Sequence, residues 1–223
     1  MTGRQLRAAR IRGLYAVTPE LADRIDWLER CVAAVVGGAR VVQYRDKRSG
    51  RSERVVRARA LRRICSAHEA LLFVNDDPDL AVACEADGVH LGLEDAAIAG
   101  VRAAWPELLI GATCHARLDL AATAVADGAD YVAFGAVFAS SVKPGAVSAP
   151  LGLFGDARRS VPGIPTVAIG GITRINVASV RAAGADACAV ITDLFQGVAG
   201  EAPTADAVAA RAREFRHLLE ISP

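Results

Sequence analysis

Short β-branched runs alternate with longer Ala- and Arg-rich segments of helical period along the chain, and that alternation leaves few architectures open. The runs predict strands at Gly13–Val17, Arg40–Tyr44, Leu71–Val74, Gly88–Leu91, Leu109–Thr113, Tyr131–Phe134, Thr166–Ile169 and Cys188–Ile191. Helical segments fill the gaps, among them Asp23–Val36, Ser52–Ala67, Leu118–Asp127, Ile175–Ala183 and Thr204–Leu219. Eight strand–helix pairs in 223 residues allow about 28 residues per pair, near the lower end for a (β/α)₈ barrel. No Pro- or Gly-rich linker breaks the pattern. The expectation is one α/β domain, a single (β/α)₈ TIM barrel over residues 13–223, preceded by a basic leader at 1–12. An open doubly wound sheet is the alternative, weakened because no G-x-G-x-x-G follows the first strand.

An internal echo supports closure. Gly38-Ala39-Arg40, Glu85-Ala86-Asp87, Gly128-Ala129-Asp130 and Gly184-Ala185-Asp186 each end a helix and lead into an even-numbered strand. Glycine can end a helix in the left-handed conformation, and the charged residue stands at the mouth of the strand. One device before every second strand is what quasi-fourfold barrel packing requires.

Composition narrows the function. The chain is 52% hydrophobic and carries 26 basic against 25 acidic residues, so it can bury a large core and has no net field to hold nucleic acid or an anionic membrane. Aromatic residues make up only 5%, too few for base-stacking platforms. No run reaches the ~20 apolar residues of a membrane span. Cys31, Cys65, Cys84, Cys114 and Cys188 form no C-x-x-C pair, an odd scattered set that reads as reduced thiols of a cytoplasmic protein. Arg4, Arg7, Arg10 and Arg12 have no apolar run behind them and read as solvated. The expected partners are small molecules, with no nucleic acid and no membrane; a homo-oligomer is left open.

In a barrel of this kind chemistry belongs to the carboxyl ends of the strands. After the second strand, Gln43, Arg45 and Lys47 fall on one side by alternation, a donor-rich set suited to a polyanion. Asn75 and Asp76 follow the third strand, and Glu94 and Asp95 lie just beyond the fourth. Asp76 and Asp95 therefore leave neighbouring strands, and two carboxylates sharing a site are tolerable with a hard dication between them, as in Mg²⁺ sites completed by substrate phosphate. Gly170 and Gly171 follow the seventh strand, and Ile191 and Thr192 the eighth, where such barrels cradle phosphate. Thr113, Cys114 and His115 end the fifth strand. Cys114 reads as a packed thiol, His115 as an acid–base group or a loop residue. The sixth loop, carrying Ser140, Ser141, Val142 and Lys143, is long enough to suggest function. His68, His90 and His217 have no metal spacing and read as structural.

Together these tracts resemble the thiamine phosphate synthase family over nearly the whole chain. The likeness rests on Leu14-Tyr15-Ala16-Val17-Thr18, Gln43-Tyr44-Arg45-Asp46-Lys47, Asn75-Asp76, Asp87-Gly88-Val89-His90-Leu91-Gly92, Glu94-Asp95, Ala129-Asp130-Tyr131, Lys143-Pro144 and Ala168-Ile169-Gly170-Gly171-Ile172. The resemblance implies a transferase that joins hydroxymethylpyrimidine diphosphate to a thiazole phosphate, with Mg²⁺ and release of diphosphate. Carried over by position, Gln43, Arg45, Lys47, Asn75, Thr113 and Lys143 would hold the pyrimidine diphosphate. Asp76 and Asp95 would bind Mg²⁺. Ser140, Gly170, Gly171, Ile191 and Thr192 would hold the thiazole phosphate.

The chain departs from the family in places. Thr113 stands where Ser is common, Ser140-Ser141-Val142-Lys143 replaces Thr-x-Thr-Lys, Asp77 replaces a basic or polar residue, and Leu93 replaces a frequent Gln. None removes a metal ligand or a diphosphate-binding cation. The implied dissociative reaction needs charge stabilisation more than proton transfer. Arg45, Lys47 and Lys143 are the residues expected to supply it; with Mg²⁺ and less Asp76 and Asp95, their charges sum to roughly +3, set against a diphosphate. The rival readings are a thiazole tautomerase using His115, a sugar-phosphate isomerase or epimerase, and a non-catalytic barrel that binds thiamine precursors.

Overall fold

The computed structural model describes residues 2–21, 23–139, 149–196 and 203–220. Eight parallel strands close on themselves in sequence order: β1 (Gly13–Val17), β2 (Val41–Tyr44), β3 (Leu71–Asn75), β4 (Gly88–Leu91), β5 (Leu109–His115), β6 (Tyr131–Phe134), β7 (Thr166–Ile169) and β8 (Ala187–Val190). The helices are α1 (Gly3–Ala8), α2 (Arg24–Val36), α3 (Arg51–Ala67), α4 (Pro78–Ala83), α5 (Ile98–Ala104), α6 (Leu118–Ala126), α7 (Gly152–Ser160), α8 (Val177–Ala182), α9 (Thr192–Phe195) and α10 (Ala205–Glu220). This is the expected (β/α)₈ barrel. Strand positions agree with the sequence to within two residues; β5 runs on to His115 through a register shift between Thr113 and His115.

The period-2 alternation of each strand divides the core into two shells. Tyr15, Val17, Val41, Leu71, Phe73, Leu109, Tyr131, Ala133, Val167, Ala187 and Ala189 fill the barrel interior. The opposite faces pack under the helices as two clusters, one around Phe134, Phe154 and Phe215 and the other around Trp27, Tyr44 and Leu61. Gly111 is dictated by this filling. A Cβ there would lie 2.0 Å from Cζ of Tyr131, so only a bare backbone lets that ring cross the barrel.

The echo before the even strands has a physical role at the floor of the barrel. Gly38, Gly128 and Gly184 have φ of +115°, +105° and +99°, and Glu85 reaches the same region at +57°. Each aspartate that follows reaches back to the preceding strand. Asp87 accepts from Leu72 N at 2.8 Å, Asp130 from Ile110 N at 2.9 Å and Asp186 from Thr166 N at 2.8 Å. These bonds satisfy strand-end donors that have no ladder partner, and they tie β3 to β4, β5 to β6 and β7 to β8.

Residues 2–12 differ from the solvated leader expected for them. Thr2 and Gln5 form a capping box that starts α1. Arg4 pairs with Asp130 at 3.0 Å and donates to the Pro106 carbonyl at 2.8 Å, Arg7 donates to the Glu107 carbonyl, and Arg10 to that of Glu69. Ala8 and Ile11 are buried among the interior residues. The arginines satisfy backbone acceptors at the floor while the apolar pair closes it. Among the described residues, no helix is long and apolar enough to cross a membrane.

Candidate active site

Every site residue expected from sequence that lies within the described chain is at the carboxyl-terminal rim. Ser140 and Lys143 fall outside the described residues. Gln43 sits on β2, with its side chain buried inside the barrel. Beyond the strand, the Arg45 amide donates to the Thr18 hydroxyl at 3.0 Å, and that hydroxyl returns a bond to the Arg45 carbonyl at 3.2 Å. Thus Thr18, one residue past β1, fixes the backbone at Arg45. Asp46 folds the turn by accepting from Arg48 N and Ser49 N; burial would raise its carboxyl, but these bonds together hold it below the usual carboxylate range.

Asp76 follows β3 in a left-handed conformation, φ +65°, and its amide donates to the His90 carbonyl at 2.8 Å. A non-glycine residue held there is strained and requires fixed surroundings. The Asp95 carboxylate is fixed by Gly92 N at 2.6 Å. Burial raises the Asp95 pKa, and the Asp76 carboxylate beside it raises it further. Lys47 faces the same pair, its Nζ 3.1 Å from Asp76 Oδ2. The two carboxylates that the sequence placed on neighbouring strands therefore meet, with one ammonium against them. Among the described residues no cluster of three or more His, Cys, Asp and Glu is poised for a metal. Two hard oxygen donors in unfavourable contact are the donor set that Mg²⁺ takes from proteins when substrate oxygens and water complete its shell. These residues fit the ion that the resemblance implies.

Arg45 is already engaged. Its Nη1 lies 2.5 Å from Glu20 Oε1, and Arg48 Nε lies 3.1 Å from the other oxygen of the same carboxylate. Glu20, in the loop after β1, has no counterpart in the sequence reading. It holds both guanidiniums at the rim, and a diphosphate must compete with it or share Arg45.

Across the barrel, β7 lies four strands from β3. Gly170 and Gly171 have φ of +103° and +64°, and a Cβ at either would lie 2.5 Å from Ala136 Cβ or the Ala139 carbonyl. Both conformation and the crossing loop thus demand glycine. Asn176 braces the turn, donating to the Gly171 carbonyl at 2.9 Å and accepting from Thr173 N at 2.8 Å. Ile191 caps the short α9 that Thr192 begins. Arg174 clamps this corner through Asp193 and Glu214, each at 2.9 Å.

Thr113 projects inward from β5 and is joined to Gln43 by a chain of polar groups through the barrel. Gln43 Nε2 donates to the Tyr15 hydroxyl at 2.9 Å, which lies 2.8 Å from the Tyr131 hydroxyl. Tyr131 in turn lies 2.8 Å from His90 Nδ1, and His90 Nε2 is 2.9 Å from Thr113 Oγ1. Burial lowers the His90 pKa to about 4 and raises both phenols, so the chain is uncharged at neutral pH. Read from sequence alone, Tyr15, His90 and Tyr131 had no part in the site. Their signal was parity: each is a polar residue at an inward position of a strand with apolar neighbours.

Cys114 is fully buried and its thiol is pushed up to about 12 by that burial, which leaves it inert. His115 is exposed at the end of β5 with φ +49°.

The model of the thiamine monophosphate synthase family matches residues 14–194. A thiamine-phosphate synthase of Thioalkalivibrio sulfidiphilus is 54% identical over 188 residues, covering 83% of this chain and 89% of the relative. One from Methylobacillus flagellatus is 47% identical over 209 residues, covering 93% and 95%. The structure of a thiamine phosphate pyrophosphorylase from Pyrococcus furiosus superposes with a TM-score of 0.81 at 33% identity, covering 96% of this chain and 98% of that one. With the match spanning the barrel from the first strand to the last, the chain belongs to the thiamine monophosphate synthase family.

Proposed function

We propose that this chain joins 4-amino-2-methyl-5-hydroxymethylpyrimidine diphosphate to 4-methyl-5-(2-hydroxyethyl)thiazole phosphate, giving thiamine phosphate and diphosphate. The observation that carries the site assignment is the meeting of Asp76 and Asp95 beside Lys47 at the rim. Those two carboxylates would hold Mg²⁺, which when bound neutralises charge on the departing diphosphate.

The protein's own groups do the rest. Lys47 and Arg45, with Lys143 from the sixth loop, supply positive charge where negative charge grows as the C–O bond to diphosphate lengthens. The charge works without proton transfer, so no dedicated base is needed. Lys47 is held by Asp76 and Arg45 by Glu20 before substrate arrives. This preorganisation means the cations need not be gathered at the moment of reaction. Gln43, Asn75 and Thr113 would hold the pyrimidine end. Gly170, Gly171, Ile191 and Thr192, with Ser140, would seat the thiazole phosphate across the barrel, so that its ring nitrogen faces the methylene carbon left electron-poor. The reaction would run in the cytoplasm, a reading supported by five buried, unpaired cysteines.

Purified protein mixed with both substrates and Mg²⁺ should yield thiamine phosphate, separated by chromatography, with one diphosphate per product. Absence of product under those conditions would overturn the reading. A tautomerase would instead convert the thiazole substrate alone, with the loss falling on His115→Ala rather than on Lys143→Ala.

A further inference from the structure

The chain of polar groups between Gln43 and Thr113 has one proton available for each of its four hydrogen bonds, with the second Gln43 amide proton and one other left over. Gln43 Nε2 is the atom that faces Tyr15, so the amide fills the first bond as donor. The Tyr15 proton then fills the bond to Tyr131. The Tyr131 proton fills the bond to His90 Nδ1, which must accept. The single proton of the neutral imidazole is then on Nε2 and is donated to Thr113 Oγ1. The Thr113 hydroxyl proton has no role in these four bonds.

We propose that Tyr15, Tyr131 and His90 form a one-way hydrogen-bond chain that keeps the Thr113 hydroxyl a donor toward the pyrimidine diphosphate. This inference rests on the placement of that substrate at Thr113 and Gln43. Run in reverse, the same atoms would turn the Thr113 proton onto His90 and leave only oxygen lone pairs facing an electron-rich anion. That arrangement repels what the site must bind. Tyr15, Tyr131 and His90 are positioning residues: they act through Thr113 and Gln43 and need not touch substrate. Burial of the two phenols keeps water from supplying competing partners there. Tyr15 and Tyr131 are 1% and 0% exposed, so the two phenols find their partners within the protein. The stacking of the His90 and Tyr131 rings, 5.6 Å between centroids and 23° apart, fixes the imidazole plane.

Two measurements on the full-length protein test this. The first is ¹⁵N–¹H correlation NMR of ¹⁵N-histidine-labelled, ligand-free wild type, with the signal assigned by its loss in His90→Asn. The proton is expected on Nε2, with Nδ1 the unprotonated nitrogen. A proton on Nδ1 would overturn the direction of the chain, and this arm reads the same whether or not the protein makes thiamine phosphate. The second is steady-state kinetics. Tyr131→Phe removes the donor to Nδ1 and lets the imidazole take the Thr113 proton, so KM for the pyrimidine diphosphate should rise about tenfold, the effect of one lost hydrogen bond. KM for the thiazole phosphate should stay within about twofold. In a Thr113→Val background, Tyr131→Phe should change neither value, because its effect passes through the hydroxyl already removed. Equal losses in both backgrounds would mean that Tyr131 is merely structural and would overturn the proposal.

Discussion

Gly111→Ala is the single substitution most exposed to the packing of the barrel interior. The added methyl would lie 2.0 Å from Cζ and 2.4 Å from the hydroxyl of Tyr131. Carbon contacts settle near ~3.5–4.0 Å, so the ring must retreat by roughly 1.5 Å. It has nowhere to go. Phe73 packs edge-on to it at 5.3 Å, and the Tyr131 hydroxyl is bonded to Tyr15 and His90 at 2.8 Å each. A retreat of that size breaks both bonds. Overpacking costs about 1–3 kcal/mol and each lost bond about 1 kcal/mol, so the variant should lose about 3–5 kcal/mol. For a domain of this size that is roughly 10 °C in Tm. Urea unfolding followed by circular dichroism reads it directly. Tyr131→Val should cost about as much alone, by leaving a cavity, yet the double variant should lose far less than the sum because the methyl fills the vacated space. A loss below about 0.5 kcal/mol for Gly111→Ala, or strict additivity in the pair, would refute the packing argument.

Further expectations concern stability and reactivity. Asp95 binds its proton more tightly folded than unfolded, so stability falls as pH rises through that window; without Mg²⁺, Asp95→Asn should melt higher than wild type at pH 7, and scanning fluorimetry should find the difference gone near pH ~3. An unchanged or lower Tm at neutral pH would contradict the like-charge contact. Ile11, 1% exposed at the floor, should cost about 2–4 kcal/mol when changed to Ala, and a loss under about 0.5 kcal/mol in the same urea assay would return residues 2–12 to a loose leader. Burial pushes the thiols of Cys65, Cys114 and Cys188 up to about 12, so a thiol-reactive dye should label all five cysteines only as the protein unfolds; fast labelling of one in the native state would refute that.

What could be read from sequence was whatever depends on local period and on neighbouring strands. Strand positions followed from β-branched runs, and the meeting of Asp76 with Asp95 followed from their leaving β3 and β4. The Gly-Ala-Asp echo pointed to a closed barrel because a left-handed glycine and a charged residue at the strand start act over a few residues. What escaped depends on closure. Arg4 meets Pro106 and Asp130 only once the barrel has closed and α1 lies at its floor beside the starts of β5 and β6, so its partners lie about a hundred positions away and the helix reads as a charged tail. Tyr15 and Tyr131 touch across the barrel for the same reason, 116 residues apart. Glu20 was missed differently: a lone carboxylate in a turn carries no pattern until Arg45 and Arg48 are seen to converge on it.

On the proposed function, the two carboxylates at the rim serve a divalent ion that the diphosphate needs in order to leave. The most direct test is the initial rate of thiamine phosphate formation as a function of Mg²⁺ concentration, in wild type and in Asp95→Asn. Wild type should rise from near zero to a plateau. The variant, still folded, should fall at least about a hundredfold short at the same Mg²⁺, the loss expected when one hard ligand beside a highly charged leaving group is neutralised. Turnover that persists in chelator, or Mg²⁺ curves that coincide for the two proteins, would contradict the account.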